Sequence, residues 1–169
     1  MVPGVKYWCF LTTAVCFIVA CRPGTVKLDT VERKVIIDSV TTMLTRIEAD
    51  ISNKGPVAWL NYFENATDFF MASDGQLLFK DYPTAKGFIL NTLVKRIAKI
   101  KLGWDHIRVD PLTPEFASVG VDFHEDLTAP NGSVLSVNGY FTGTAQHSVG
   151  GWKLRNANWS IKTPDKNVR

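Results

Sequence analysis

Beyond residue 21 the chain has no cysteine: Cys9, Cys16 and Cys21 all fall in the first 21 residues of 169, and the other 148 contain none. A disulfide framework is therefore excluded for the folded part. Histidine is scarce as well. The three present, with no cysteine after Cys21, form no metal-ligand spacing, so no metal site is expected. There is no Gly-rich phosphate loop, no Gly-x-Ser-x-Gly elbow and no His-Glu-x-x-His, and no cofactor is expected. Lys and Arg total 19 against 16 Asp and Glu, a formal charge of +3 without any basic run. Nucleic acid is accordingly not an expected partner. No apolar stretch reaches the roughly 20 residues that a membrane-spanning helix needs, and no internal repeat or low-complexity segment interrupts the chain. What remains is one domain's worth of sequence, long enough to bury a core unaided.

The N-terminus carries an address. Lys6 precedes Tyr7–Ala20, an apolar run of 14 residues with the length of a signal-peptide core. It ends in Ile18-Val19-Ala20-Cys21, which resembles a bacterial lipobox. That resemblance implies cleavage before Cys21, lipidation of its sulfur and a membrane contact made through the lipid anchor alone. The expected location is a bacterial cell envelope. Arg22 after the cysteine implies the outer membrane if the cell has two. The competing reading is an ordinary signal peptide with an incidental cysteine. The expected division is a signal peptide over 1–20, a lipidated tether over 21–27, one domain over 28–163 and a tail over 164–169.

Within the domain, Asp29-Thr30-Val31-Glu32 has the form of a capping box. Ile36, Val40, Met43, Leu44, Ile47 and Ile51 follow on one stripe of a helix of about 20 residues that closes near Gly55. Pro56 opens a short helix predicted over Pro56–Asn65. Ser73-Asp74-Gly75 between Phe69–Ala72 and Gln76–Phe79 predicts a tight hairpin. A third helix is predicted from Tyr82 to about Lys99, with Phe88, Ile89, Thr92, Leu93, Ile97 and Ile100 buried. Then come strands: Leu102–Asp110, Glu115–Glu125, Ser133–His147 and Trp152–Ile161, separated by Pro111/Pro114, Ala129–Gly132 and Val149–Gly151. Helices followed by a run of long antiparallel strands predict an α+β fold with helices on one face of a curved sheet.

The aromatic segment Trp59…Phe63, the Phe70–Gly75 hairpin and the closing strand Gly151-Trp152-Lys153-Leu154…Trp159-Ser160, in this order, resemble the nuclear transport factor 2-like superfamily and its SnoaL-like bacterial members. Asn158 stands where many relatives have histidine. The resemblance implies a cone of three helices and a curved antiparallel sheet whose mouth opens into an apolar pocket. It also implies pairing of two copies through the sheet. It leaves the activity open, since relatives include isomerases, hydrolases, dehydratases, cyclases and proteins without catalysis.

Strand parity addresses which groups enter the cone. Leu135, Val137, Gly139, Phe141, Gly143 and Ala145 alternate with Ser136, Asn138, Tyr140, Thr142, Thr144 and Gln146. Ala117, Val119, Val121 and Phe123 alternate with Ser118, Asp122 and His124. If the apolar set lines the cone, Asp122 and His124 look outward, and Ser118, Asp122, His124, Tyr140, Thr142 and Thr144 are the candidate contact face of a homodimer. Gly120, Gly139 and Gly143 are places where a bulge would reverse this. Asp122 and His124, two apart, are the candidate acid/base pair; the competing reading is two solvated residues. Asp105, His106 and His147 are expected on the surface. No inward set of Asp, Tyr, His or Arg is seen on the apolar parity. Trp59, Tyr62, Phe63, Phe70, Phe79, Phe123 and Phe141 are the expected pocket. The favoured expectation is a lipoprotein whose cone binds a small apolar molecule or a protein partner; the alternative is an enzyme with acid/base groups in the cone.

Overall fold

The computed structural model describes residues 27–162. The signal segment, Cys21 and most of the tether, and the last seven residues, lie outside the described part. Among the described residues, no helix is long and apolar enough to cross a membrane.

Helix α1 spans Thr30–Lys54. Asp29 Oδ1 accepts from the backbone N–H of Val31 and Glu32, and the Glu32 carboxylate accepts from Asp29 N–H at 2.9 Å, a complete capping box. Its stripe Ile36, Val40, Met43, Leu44, Ile47 and Ile51 is buried against the sheet. The Pro56 helix is a single 3₁₀ segment, Pro56–Asn61, shorter than the pattern suggested. It stops because Phe63 and Leu154 form a parallel bridge that pulls the backbone straight. Strands β1 (Phe70–Ser73) and β2 (Gln76–Phe79) form the hairpin. Asp74 and Gly75 both have positive φ, 48° and 81°, as a type I′ turn demands.

The third helix differs most from expectation. It runs as α2 (Tyr82–Phe88), a π turn (Ile89–Leu93) and α3 (Val94–Arg96), then ends. Ile97 is already extended, and Ile100, expected on the helix, is buried from strand β3, Lys99–Pro111. Strand start beat helical periodicity here because Ala98 N–H is taken by Thr128 O of the neighbouring strand.

Strands β3, β4 (Phe116–Thr128), β5 (Val134–Ser148) and β6 (Gly151–Ile161) follow as a meander. The six strands lie in the order β2-β1-β6-β5-β4-β3, and the helices cover one face. The sheet is mixed rather than wholly antiparallel. β1 pairs parallel to β6, because the Phe63 bridge has already laid the chain alongside that strand. The expected glycine bulges are absent from the β4–β5 pairing, whose register is continuous from Phe116/Gln146 to Thr128/Val134. The irregularities fall instead at Asp105/Arg108 in β3, at Met71/Ala72, and at Thr144/Ala145 opposite β6. Gly139 has a packing role: a Cβ there would lie 2.0 Å from the Ser160 carbonyl oxygen and 2.9 Å from the Phe123 ring.

Candidate functional site

Trp159 on β6 is the hub of the interior. Phe123 and Phe141 meet it edge-on at 4.7 and 4.9 Å between centroids, Trp59 lies at 5.7 Å, and Trp104 stacks at 5.8 Å. Trp104 is fixed in turn by its indole N–H, which donates to Leu44 O at 3.0 Å. This cluster closes the narrow end of the cone. Above it the concave face stays open as a cavity of about 240 Å³.

The lining includes Trp59, Phe63, Phe79, Phe123 and Trp159, and the π turn supplies the buried Ile89 and the partly exposed Leu93. A π turn widens a helix locally, and such turns recur at functional sites. Of the sixteen lining residues, fourteen are apolar or aromatic; the exceptions are Ser73 and Glu125. Glu125 shares the parity of Phe123 and stands opposite Val137 in the neighbouring strand. Burial alone pushes its carboxyl from 4.5 up to about 7, with no hydrogen bond or neighbouring charge contributing. At neutral pH this group is therefore divided between acid and carboxylate. It can donate to a carbonyl, pair with a cation or take up a proton.

Four of the seven expected pocket residues line the cavity: Trp59, Phe63, Phe79 and Phe123. Phe141 is fully buried beneath it. Phe70 does not belong; it is 45 % exposed, while its neighbour Phe69 is fully buried. Alternation in β1 explains this, since Met71 and Ser73 face the cavity and Phe70 faces away. Tyr62 also lies elsewhere. Its hydroxyl donates to Asp50 Oδ2 at 2.8 Å on α1, and burial, with the Asp50 bond, pushes it up to about 12. Lys54, followed by Tyr62, holds the Asp50 carboxyl below its usual value. Tyr62 thus clamps the 3₁₀ segment to α1.

Asp122 and His124 do not pair with each other. His106 Nδ1 lies 3.0 Å from Asp122 Oδ2, and His124 Nδ1 lies 3.3 Å from Asp105 Oδ2. Both pairs join β3 to β4 on the outer, exposed face of the sheet. The His124 ring rests over Gly103, where a Cβ would stand 2.1 Å from it. Asp105 and His106 sit at the β3 bulge, and His106 takes a φ of 53°, which turns its ring toward Asp122. None of these four groups reaches the cavity.

Glu125 is the residue that reading from sequence missed. The signal was present: two positions beyond Phe123 on a strand of strict alternation, it belongs to the inward set. It was hidden because it stood at the predicted strand end, whereas β4 continues to Thr128.

No family model and no curated protein matches the chain. Solved structures do. A nuclear transport factor 2-like superfamily protein from Salmonella enterica is similar with a TM-score of 0.65 at 15 % identity, covering 80 % of this chain and 99 % of that one. A hexachlorocyclohexane dehydrochlorinase of the LinA type 3 from Novosphingobium barchaimii is similar with a TM-score of 0.63 at 11 % identity, covering 83 % and 97 %. A conserved protein from Planctomyces limnophilus is similar with a TM-score of 0.62 at 15 % identity, covering 77 % and 98 %. At such identities the likeness is one of fold. The chain has the nuclear transport factor 2-like fold.

Proposed function

We propose that this domain binds a small, largely apolar molecule in the cone and holds the molecule's one polar group on Glu125. A lone carboxyl in an apolar cavity carries this reading. Glu125 is half-buried in this apolar lining with no side-chain hydrogen bond or ion pair of its own among the described residues, and a ligand that brings a polar partner supplies a bond in surroundings where water is largely displaced. The cavity, at about 240 Å³, suits a compact ring system or short chain. In keeping with the lipobox-like segment, we place the domain on a lipid anchor at Cys21, with the cone outside the cytoplasm.

A matched pair of probes tests the site. Cyclohexyl methyl ketone accepts a hydrogen bond from the protonated Glu125, so it should bind better below pH 7. Cyclohexanemethylamine pairs with the carboxylate and should bind better above it. Both report through the fluorescence of Trp59 and Trp159, which line the cavity. Glu125→Leu should weaken both by about tenfold, the worth of one hydrogen bond in largely apolar surroundings. Equal binding of both probes by wild type and Glu125→Leu would refute Glu125 as the anchor.

One observation favours a catalytic alternative. A carboxyl near 7 is matched to proton abstraction at neutral pH, the role carried by general bases in enzymes. Among the described residues no second titratable group lines the cavity, so a substrate in this reading brings its own activating group. A hexachlorocyclohexane dehydrochlorinase is among the proteins that share this fold. Hydrogen–deuterium exchange at a carbon acid such as the ketone probe, dependent on Glu125 and lost in Glu125→Gln, would move this reading to first place.

A further inference from the structure

The mouth of the cavity is framed by two elements with an unusual surface. Strand β2 leaves Leu77 63 % and Leu78 44 % exposed, and the π turn leaves Leu90 41 % exposed beside Phe88. Leu78 and Phe88 line the cavity and face solvent at once. The charges that follow in the chain are almost all of one sign. Residues 80–101 carry Lys80, Lys86, Lys95, Arg96, Lys99 and Lys101 against the single acid Asp81. Since the whole chain is at +3, the rest of it is net acidic by two charges. All six cations are exposed, and among the described residues none is in an ion pair. Asp81 is occupied as the cap of α2, accepting from Thr84 N–H at 2.8 Å. Lys80 follows Phe79, and Lys95 and Arg96 stand between Leu93 and Ile97, so these three cations flank residues that line the cavity, whereas Lys99 and Lys101 alternate with the buried Ile100 and Leu102 and face the other side of the sheet.

We propose that this face docks on an anionic lipid bilayer. Exposed leucines and a phenylalanine in a frame of unpaired cations match the two contributions to interfacial binding. Apolar side chains enter the acyl boundary, and lysines and arginines meet the headgroups. An acidic protein would need the cations but not the leucines. A second copy of the chain would bring the same positive charge and be repelled. Docked this way, the cavity opens toward the acyl chains, so an apolar molecule enters without crossing water. That entry route rests on the ligand reading above; the docking itself does not.

The test is hydrogen–deuterium exchange of the full chain, followed in the peptides covering 76–101. It is run without lipid, with phosphatidylcholine vesicles, and with vesicles in which about a third of the lipid is phosphatidylglycerol. These peptides should be protected only by the anionic vesicles, and the protection should fade in about 0.5 M salt. An N-terminal anchor would bring the chain to every vesicle alike, so the contrast within 76–101 isolates this face. Each cation near an anionic surface contributes about fivefold. Lys86→Glu/Lys95→Glu/Arg96→Glu should therefore raise the lipid needed for half-protection by at least about a hundredfold. Leu77→Ser/Leu90→Ser should also weaken protection, and both variants alter exposed residues only. Protection that survives loss of the leucines but not of the cations identifies a polyanion and overturns the proposal. Protection that arises without lipid and grows with protein concentration identifies a second copy and overturns it too. No lipid-dependent protection in 76–101 likewise overturns it.

Discussion

At the scale of single residues, the proposed function rests on Glu125. Its pKa is raised from 4.5 to about 7 in the folded state, so the native protein holds this proton more tightly than the unfolded chain does. Stability from this group is fully present below pH 4.5 and is lost as pH rises to about 7, by about 3 kcal/mol at most. Glu125→Leu should remove that slope and leave the domain more stable than wild type at pH 8, measured by urea denaturation at several pH values. Tyr62 offers a contrast. Tyr62→Phe frees Asp50 of one bond and should cost about 1 kcal/mol without changing ligand binding, because its hydroxyl faces α1 and not the cavity. Binding weakened in Tyr62→Phe would place that residue back in the site. On the outer face, His124→Asn should shift stability by a few tenths of a kcal/mol, as loss of one exposed pair does.

At the scale of elements, α1 and the meander were legible because their periodicities are long and uninterrupted. Six apolar residues on one helical stripe and a complete capping box leave little choice. Asp29→Ala should lower stability by about 1 kcal/mol, read from the thermal midpoint. The short elements were less legible, for a common reason: tertiary pairing decides them. The backbone of Phe63 is drawn to Leu154, and that of Ala98 to Thr128, and neither partner is near in sequence. The parity of β4 showed which way Phe123 points and already held Glu125 at the predicted strand end; the extra strand length to Thr128 adds Leu127 to the same set. His106 could not be foreseen as the partner of Asp122, since that pairing needs the β3 bulge. The close approach of β5 and β6 gives a sharper test. Gly139→Ala must displace the Ser160 backbone or the Phe123 ring and should cost about 1–3 kcal/mol.

At the scale of the whole molecule, the fold separates two faces with different chemistry. The cavity on the concave face is apolar, with Glu125 the one titratable group in its lining among the described residues; the convex face carries the exposed His–Asp pairs. The order of elements, with the aromatic Trp59…Phe63 segment, the hairpin and the closing strand, pointed to the nuclear transport factor 2-like fold, and solved structures of that fold match most of the chain. The proposed address rests on residues outside the described part. Cys21→Ser should convert a membrane-held protein into a soluble or unprocessed one, and a cleaved Ser variant found with membranes at the wild-type level would remove the anchor from this account. The central claim is that Glu125 is a perturbed carboxyl waiting for a partner in the cone. Carbon-13 NMR of glutamate-labelled protein, assigned by Glu125→Gln, measures it directly. The Glu125 resonance should titrate near pH 7 in the free protein and shift its midpoint upward with cyclohexyl methyl ketone and downward with cyclohexanemethylamine. A midpoint near the ordinary glutamate value, unmoved by either probe, would contradict the account.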